Sequence, residues 1–472
     1  MATRVFAANL PSAIVDMEAR VLAEAIRLKQ VSCTEVMEAY LAHIQRHNPV
    51  YNAIVGMVEE GLLMEQAREA DRQLARGEYR GWMHGMPHAV KDLAPVEGLL
   101  FTSGSPLYSD RIAERDADFV ARLRQAGTIF IGKTNSPEFG LGSQTYNPVF
   151  GPTASAWNPD LTAGGSSGGA GSGLGTHMLP VADGSDMMGS LRNPGAYNNV
   201  IGFRPSAGFM SDNPPSERPL STSGSMGRNT ADAIQLLQTM APRPLDGVFG
   251  ELELRDLRIG WLGNLDGYLA MESGILPLCE ASLGSLEVAG AVVVPLMPQM
   301  DLNDLWTTWT TLRHAGRGGM RSLYEDPRTR PMLKPELQWE VEQLIALTPA
   351  DIDRANRLRQ DWYRELDRLF ADHDFLALPS AQVFPFAKLV NWPEYIGDRR
   401  MDTYHRWMEV VIMASLGGLP VINVPVGFDA SGRPMGMQVM GRYGEDRRVL
   451  EFGLAYEQVI DFLQRRPQLA SR

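Results

Sequence analysis

Ala163-Gly164-Gly165-Ser166-Ser167-Gly168-Gly169-Ala170-Gly171 is the one low-complexity stretch of the chain, and its reading decides the fold. By composition alone it is a flexible linker. A dinucleotide fingerprint, G-x-G-x-x-G, fails: with Gly171 and Gly173 as the first pair the third position falls on Thr176, and no clear strand leads in. A nucleophile elbow, G-x-S-x-G, is met by Gly165 to Gly169 with Ser167 at its centre. So glycine-rich a segment meets that pattern easily by chance. The elbow would also need a downstream acid and then a histidine, for which His314, His373 and His405 have no distinguishing context.

A neighbouring stretch offers a nucleotide-binding reading. Gly127-Thr128-Ile129-Phe130-Ile131-Gly132-Lys133-Thr134 satisfies the phosphate-loop pattern in full. The four variable positions of such a loop must turn their N–H groups toward phosphate, whereas Thr-Ile-Phe-Ile is β-branched and apolar and pairs as a strand. Lys133 then reads as a strand-end surface or structural lysine.

What sets the glycine/serine segment apart is its company. Gly85-Met86-Pro87-His88-Ala89-Val90-Lys91-Asp92 lies upstream, and Asp186-Met187-Met188-Gly189-Ser190-Leu191-Arg192-Asn193-Pro194 lies downstream, with Ser166 and Ser190 separated by 24 residues. Together these segments resemble the amidase signature family. Its lysine follows a Gly-x-Pro turn, its first relay serine opens a Gly-Gly-Ser-Ser-Gly-Gly run, and its nucleophile closes an Asp-x-Gly-Gly-Ser segment. Gly132 to Asn135, Val200 to Ser206, Gly418 to Val421 and Gly432 to Gln438 extend the resemblance over nearly the whole chain. The Asp-Met-Met-Gly-Ser variant looks closest to the metagenome-derived urethanases and aryl amidases of that family.

The resemblance implies an α/β fold with a central mixed, twisted β-sheet covered by helices on both faces. It implies one domain over residues 1–472, with core motifs at 85–205. The activity it implies is hydrolysis of amide and carbamate C–N bonds, with ester cleavage, through an acyl or carbamoyl enzyme on Ser190. Ser166 would bridge Ser190 to Lys91, across a cis Gly165–Ser166 peptide. A buried lysine suits the role of base, because desolvation disfavours its ammonium form and frees the amine near neutral pH. The N–H groups of Met187, Met188, Gly189 and Ser190 would face the developing oxyanion, where one donor is worth about 3–4 kcal/mol. Met188 stands where the family has the first of two glycines, and a positive φ there would strain it.

Other roles follow from position. Gly140, Leu141 and Gly142 are expected to wall the substrate site. Residues 208–224 carry Pro214, Pro215 and Pro219, so they read as a mobile flap near Ser190 with Phe209, Met210 and Leu220 turned toward substrate. Asp186 and Arg192 read as props of the nucleophile turn, and His88 and His177 as structural. Lys91, Ser166 and backbone amides cover the acid, base and electrophilic roles, so neither metal nor organic cofactor is expected. Two rival functions stand beside this one: the glutaminase subunit of a tRNA-dependent amidotransferase, which needs partner subunits and a charged pocket for glutamine, and a non-catalytic binding protein.

Composition bounds the partners. The chain has 472 residues, 44% hydrophobic and 21% charged, an ordinary globular profile. A formal charge of −12 and the lack of a basic run argue against nucleic acid and fit a small neutral or cationic substrate, and the apolar residues of the 208–224 flap point to a neutral amide or carbamate that is aromatic or apolar. Cys33 and Cys279 alone can build neither a disulfide framework nor a four-cysteine zinc site, which points to a reducing, cytoplasmic setting. Met1 to Ile14 is too weakly apolar for a signal peptide, and the longest uncharged run, Leu161 to Ala182, is too rich in Gly and Ser for a membrane span.

A helix capped at Asp16 should bury Met17, Val21, Leu22, Ala25 and Ile26, and Ser32 with Glu35 should form a capping box for the next. Apolar runs at Ala89 to Val90, Thr128 to Ile131, Ala291 to Leu296, Phe375 to Leu378 and Val421 to Val426 read as strands of a largely buried sheet. Residues 301–373, where Trp306, Trp309, Trp339 and Trp362 sit among charged helix formers, read as a helical insertion.

Overall fold

The computed structural model describes residues 13–250 and 252–471, so almost all of the Met1–Ile14 stretch lies outside the described residues. The capping box forms as expected. The Ser32 hydroxyl accepts from the Glu35 N–H at 3.1 Å, and the Glu35 carboxylate accepts from the Ser32 N–H at 2.8 Å, opening the helix Cys33–Tyr51. Asp16 does not cap the first helix. It ends a short 3-10 turn, Ile14–Asp16, where its carboxylate lies 2.7 Å from His177 Nδ1, and the helix Ala19–Arg27 begins after Glu18.

The predicted apolar runs all become strands. Eight strands form a mixed sheet in the spatial order Val292–Pro295, Arg258–Trp261, Phe375–Pro379, Pro434–Met440, Val421–Phe428, Ile201–Arg204, Thr222–Gly227, Val181–Asp186. The first three run parallel to one another and the remaining pairings are antiparallel. Side chains alternate across the sheet, as the two-residue strand period requires. Phe375, Ala377, Ile422, Val424, Met437 and Val439 pack with the helices Ile275–Val288 and Asp446–Tyr456. Leu376, Leu378, Val421 and Met440 face the other way, into a core with Trp309, Trp362 and Leu366. Both faces are therefore covered, and the central strands read as continuous apolar runs.

The Lys91 strand departs from that expectation. Pro87–Lys91 belongs to a separate three-stranded sheet, parallel to Ile129–Thr134, which in turn pairs antiparallel with Ile54–Val55. The run read as a strand rather than a phosphate loop is thus a paired strand, and Lys133 on it is buried, not on the surface, donating to the Ala94 carbonyl. The two sheets meet at Asp183, whose carboxylate accepts from the Lys91 N–H at 3.2 Å and lies 3.0 Å from His88 Nε2.

Residues 301–373 contain helices Leu302–Ala315, Arg321–Glu325, Pro335–Ala346 and Pro349–Leu369, and no strand among the described residues. Trp362 anchors the longest of these on the helix Ile412–Gly417, with its indole N–H donating to the Met413 carbonyl at 3.0 Å. Trp362 is 1% exposed, so Trp362→Ala is expected to lower stability by about 3–5 kcal/mol. Urea unfolding checks this, as a fall in midpoint with an unchanged slope.

Candidate active site

The strand Val181–Asp186 and the helix Arg192–Asn198 are joined by a tight turn carrying Met187 to Leu191. The turn folds around the Asp186 carboxylate, which accepts from the Gly189 N–H at 3.0 Å and the Leu191 N–H at 3.1 Å. Arg192 pairs with it at 2.8 Å and Arg204 at 3.3 Å, all three side chains fully buried. Burial alone would raise the Asp186 carboxyl, but the two guanidiniums and the N–H donors hold it well below the usual carboxylate range.

Gly189 takes the left-handed conformation of this turn, at φ +82°, and a Cβ there would lie 3.0 Å from Val411. Met188 is not among the positive-φ residues, so the strain expected of it does not arise. The glycine that the turn needs is the one still present.

The glycine/serine segment is no linker. Gly168–Gly175 is a buried helix, and its glycines allow backbone contact: a Cβ on Gly169 would fall 2.3 Å from the Asn135 nitrogen. The Gly165–Ser166 peptide before it is cis. Lys91 reaches this segment from the smaller sheet. Its Nζ donates to Ser166 Oγ and Ser167 Oγ, both at 2.8 Å, and to Ser185 Oγ at 3.1 Å. Burial pushes the lysine down to about 7, against the opposing pull of Asp183 and Asp186.

Ser166 and Ser190 open together onto a cavity of about 210 Å³. Ser167, at the centre of the elbow pattern, is wholly buried and does not line it. Gly140, Gly142 and Ser143 form one wall, and Met187 and Met188 another. Met188 also packs into the core around Trp309.

Four expectations fail at this site. Leu141 points away from the cavity, into a cluster with Leu333, Leu337 and Val341. Phe209 and Met210 pack against the two large apolar cores rather than the cavity, because the loop leaves Ser206 pinned to Asp446. The loop is also shorter than read: the strand begins at Thr222, and Arg218 fastens the far leg by donating to the Gly417 carbonyl at 2.9 Å and stacking on Tyr443. Ser221, at that leg, does reach the cavity. Finally, the Gly189 N–H is directed to Asp186. Among the described residues, the N–H groups of Met187, Met188 and Ser190 have no acceptor within the protein.

The third wall was missed by the sequence reading: Arg313, Arg317 and His405. Arg313 donates to Glu340 at 2.6 Å and to the Tyr404 hydroxyl at 2.7 Å. His314, Glu340 and His405 place ligand-type atoms within 4.8 Å of one another, but the Arg313 and Arg317 guanidiniums lie against the same carboxylate and would repel a cation. The only signal in sequence was an i,i+4 arginine pair near the end of a tryptophan-bearing helix. His88 and His177 are structural as read, engaged by Asp183 and by Asp16 and Arg228.

Comparison with known proteins fits this geometry. The family description "Amidase" matches residues 35–450. An acylamidase of Rhodococcus erythropolis is 31% identical over 468 residues, covering 96% of this chain and 97% of that protein. One chain of the glutamyl-tRNA(Gln) amidotransferase of Ralstonia nicotianae is 28% identical, covering 95% of this chain and 98% of that one. The crystal structure of a bacterial aryl acylamidase of the amidase signature enzymes superposes with a TM-score of 0.85 at 25% identity, covering 95% of this chain and 97% of that one. The chain belongs to the amidase signature family, hydrolases of carbon–nitrogen bonds other than peptide bonds.

The Lys91 environment predicts a pH signature in stability. Below about pH 7 folded and unfolded chains both carry the proton, and the folded state bears the full cost of the buried charge. Between about 7 and its ordinary 10.5 only the unfolded chain is protonated, so this cost is relieved as pH rises. Lys91→Met is therefore expected to be more stable than the natural protein, by a margin that is largest below pH 7 and shrinks toward alkaline pH. Urea midpoints for both proteins across that range test it, and a margin independent of pH would contradict it.

Proposed function

We propose that the chain hydrolyses small amides, and carbamates by the same route, through an acyl or carbamoyl enzyme on Ser190. The observation that carries this reading is the Lys91 Nζ, 2.8 Å from Ser166 Oγ, buried behind a cavity onto which Ser166 and Ser190 both open. The neutral amine accepts the Ser166 proton as Ser166 accepts that of Ser190, and Ser190 Oγ bonds to the substrate carbonyl carbon. The N–H groups of Met187, Met188 and Ser190 receive the oxyanion. The proton returns along the same path to the departing nitrogen, and water repeats the sequence to release the acid. Every acid–base role is filled by these side chains, so no metal is invoked. The apolar walls, Leu93, Phe139 and the two methionines, favour an apolar or aromatic body in the substrate. Both cysteines are buried and free, which supports a reducing, cytoplasmic setting. Among the described residues no helix is long and apolar enough to cross a membrane.

The glutaminase reading draws on the amidotransferase relative and on the two arginines of the cavity. Glutamine would also need a carboxylate for its ammonium group, and among the described residues lining the cavity there is none.

A serine-directed phosphonate or sulfonyl fluoride is expected to label Ser190, to fail on Ser190→Ala and to react still with Ser167→Ala. Peptide mapping reads this, and label on Ser167 in the absence of Ser190 would overturn the assignment. The rate should rise with pH through about 7 to an alkaline plateau, as the Lys91 amine loses its proton. Lys91→Ala should lose amide cleavage more severely than cleavage of a matched activated ester, since an amine departs poorly without the returned proton. Equal losses on both substrates would count against the relay.

A further inference from the structure

We propose that Arg313, Arg317 and His405 form an anion-binding end of the cavity, and that the preferred substrates are amides whose acyl group ends in a carboxylate. This rests on the reading of Ser190 as nucleophile and names the substrate class for that site.

The wall carries buried polar atoms with no hydrogen-bond partner among the described residues. Among the described residues both ring nitrogens of His405, 3% exposed, lack a hydrogen-bond partner, and the neutral ring offers one of them as a donor; Arg317 Nε has only an ion-pair contact, 3.5 Å from Glu340 Oε2. Arg313 Nη1 and Arg317 Nη2 approach only the Met187 sulfur, at 3.4 and 3.9 Å, and a thioether is a weak acceptor. Buried donors left in this state are costly unless a ligand completes them.

The charges do not cancel either. Two guanidiniums share the single Glu340 carboxylate, while burial holds His314 and His405 below their ordinary values and so neutral. One positive charge remains at the cavity wall, and burial lowers the Arg317 guanidinium as expected of a cation short of counter-charge. A carboxylate supplies that charge together with acceptors for a guanidinium fork. The chain's formal charge of −12 does not oppose this, because at physiological salt it is screened beyond about 8 Å.

A glutaryl chain is a short acyl group of this class, with its carboxylate at the end far from the scissile bond.

The test compares glutaric mono-4-nitroanilide with the 4-nitroanilide of 5-methylhexanoic acid, in which an uncharged isopropyl group replaces the carboxylate. The natural protein should favour the acidic substrate in kcat/KM by about tenfold or more, mainly through KM, and the ratio should fall with added salt. Arg317→Gln should bring the ratio to about one, and Arg317→Lys should retain part of it. Should Arg317→Gln fail to fold, inhibition of the natural protein by free glutarate serves instead: it should be competitive and salt-sensitive, and its absence would sink the subsite. Equal or better use of the uncharged anilide, with Ser190 still labelled by a serine-directed inhibitor, would overturn the subsite and leave the serine chemistry standing. Turnover of neither anilide, with no label on Ser190, would overturn the serine chemistry and this inference with it. A gain in activity on adding zinc would reassign the cluster to a metal and end the anion reading.

Discussion

The structure depends on a buried carboxylate. Asp186 ends the edge strand of the main sheet, gathers N–H groups of the turn Met187 to Leu191 and binds two arginines. Arg192 carries that constraint outward: its guanidinium also donates to the Val411 carbonyl, the Ser415 hydroxyl and the Gln438 side chain. Gln438 lies 246 residues away in sequence, on a central strand. A buried ion pair with one member missing costs several kcal/mol, so the turn, the helix behind it and the central strand are bound to a common geometry. This explains why segments so far apart in the chain belong to one pattern.

A second buried charge balances the site. Lys91 enters from the smaller sheet, and the same Asp183 that receives its backbone N–H moderates the burial of its side chain. The amine is held between two opposing influences, desolvation and nearby carboxylates, and the result falls near neutrality. Four oxygen contacts fix its position, two of them from adjacent serines at the start of the glycine-rich helix. Lysine and serine are thus placed by the packing of two sheets rather than by one local motif.

What was legible in the sequence divides along physical lines. Lys91, Ser166 and Ser190 could be read because their segments need particular residues at particular positions, above all glycines where backbones touch. The strands could be read because both faces of the sheet are covered, which turns them into apolar runs. Leu141, Phe209 and Met210 misled because each follows a turn, and the side of a turn to which a side chain points is settled by its tertiary neighbours. Asp16 has the composition of a cap but is engaged by His177. Arg313 and Arg317 escaped notice because charged residues on a helix ordinarily face water, and only the folded chain turns these inward.

The cavity has walls of unequal freedom. The serine side is close-packed: a methyl group added at Gly168 or Gly169 would strike Thr145 or the backbone at Asn135, so almost no substitution is tolerated there. The arginine side is made of side chains alone, held to one another through Glu340 and Tyr404 rather than by backbone contact. Mutational drift is thereby channelled. Change on the serine side is barred by backbone contact, whereas change on the arginine side has to replace charged partners together.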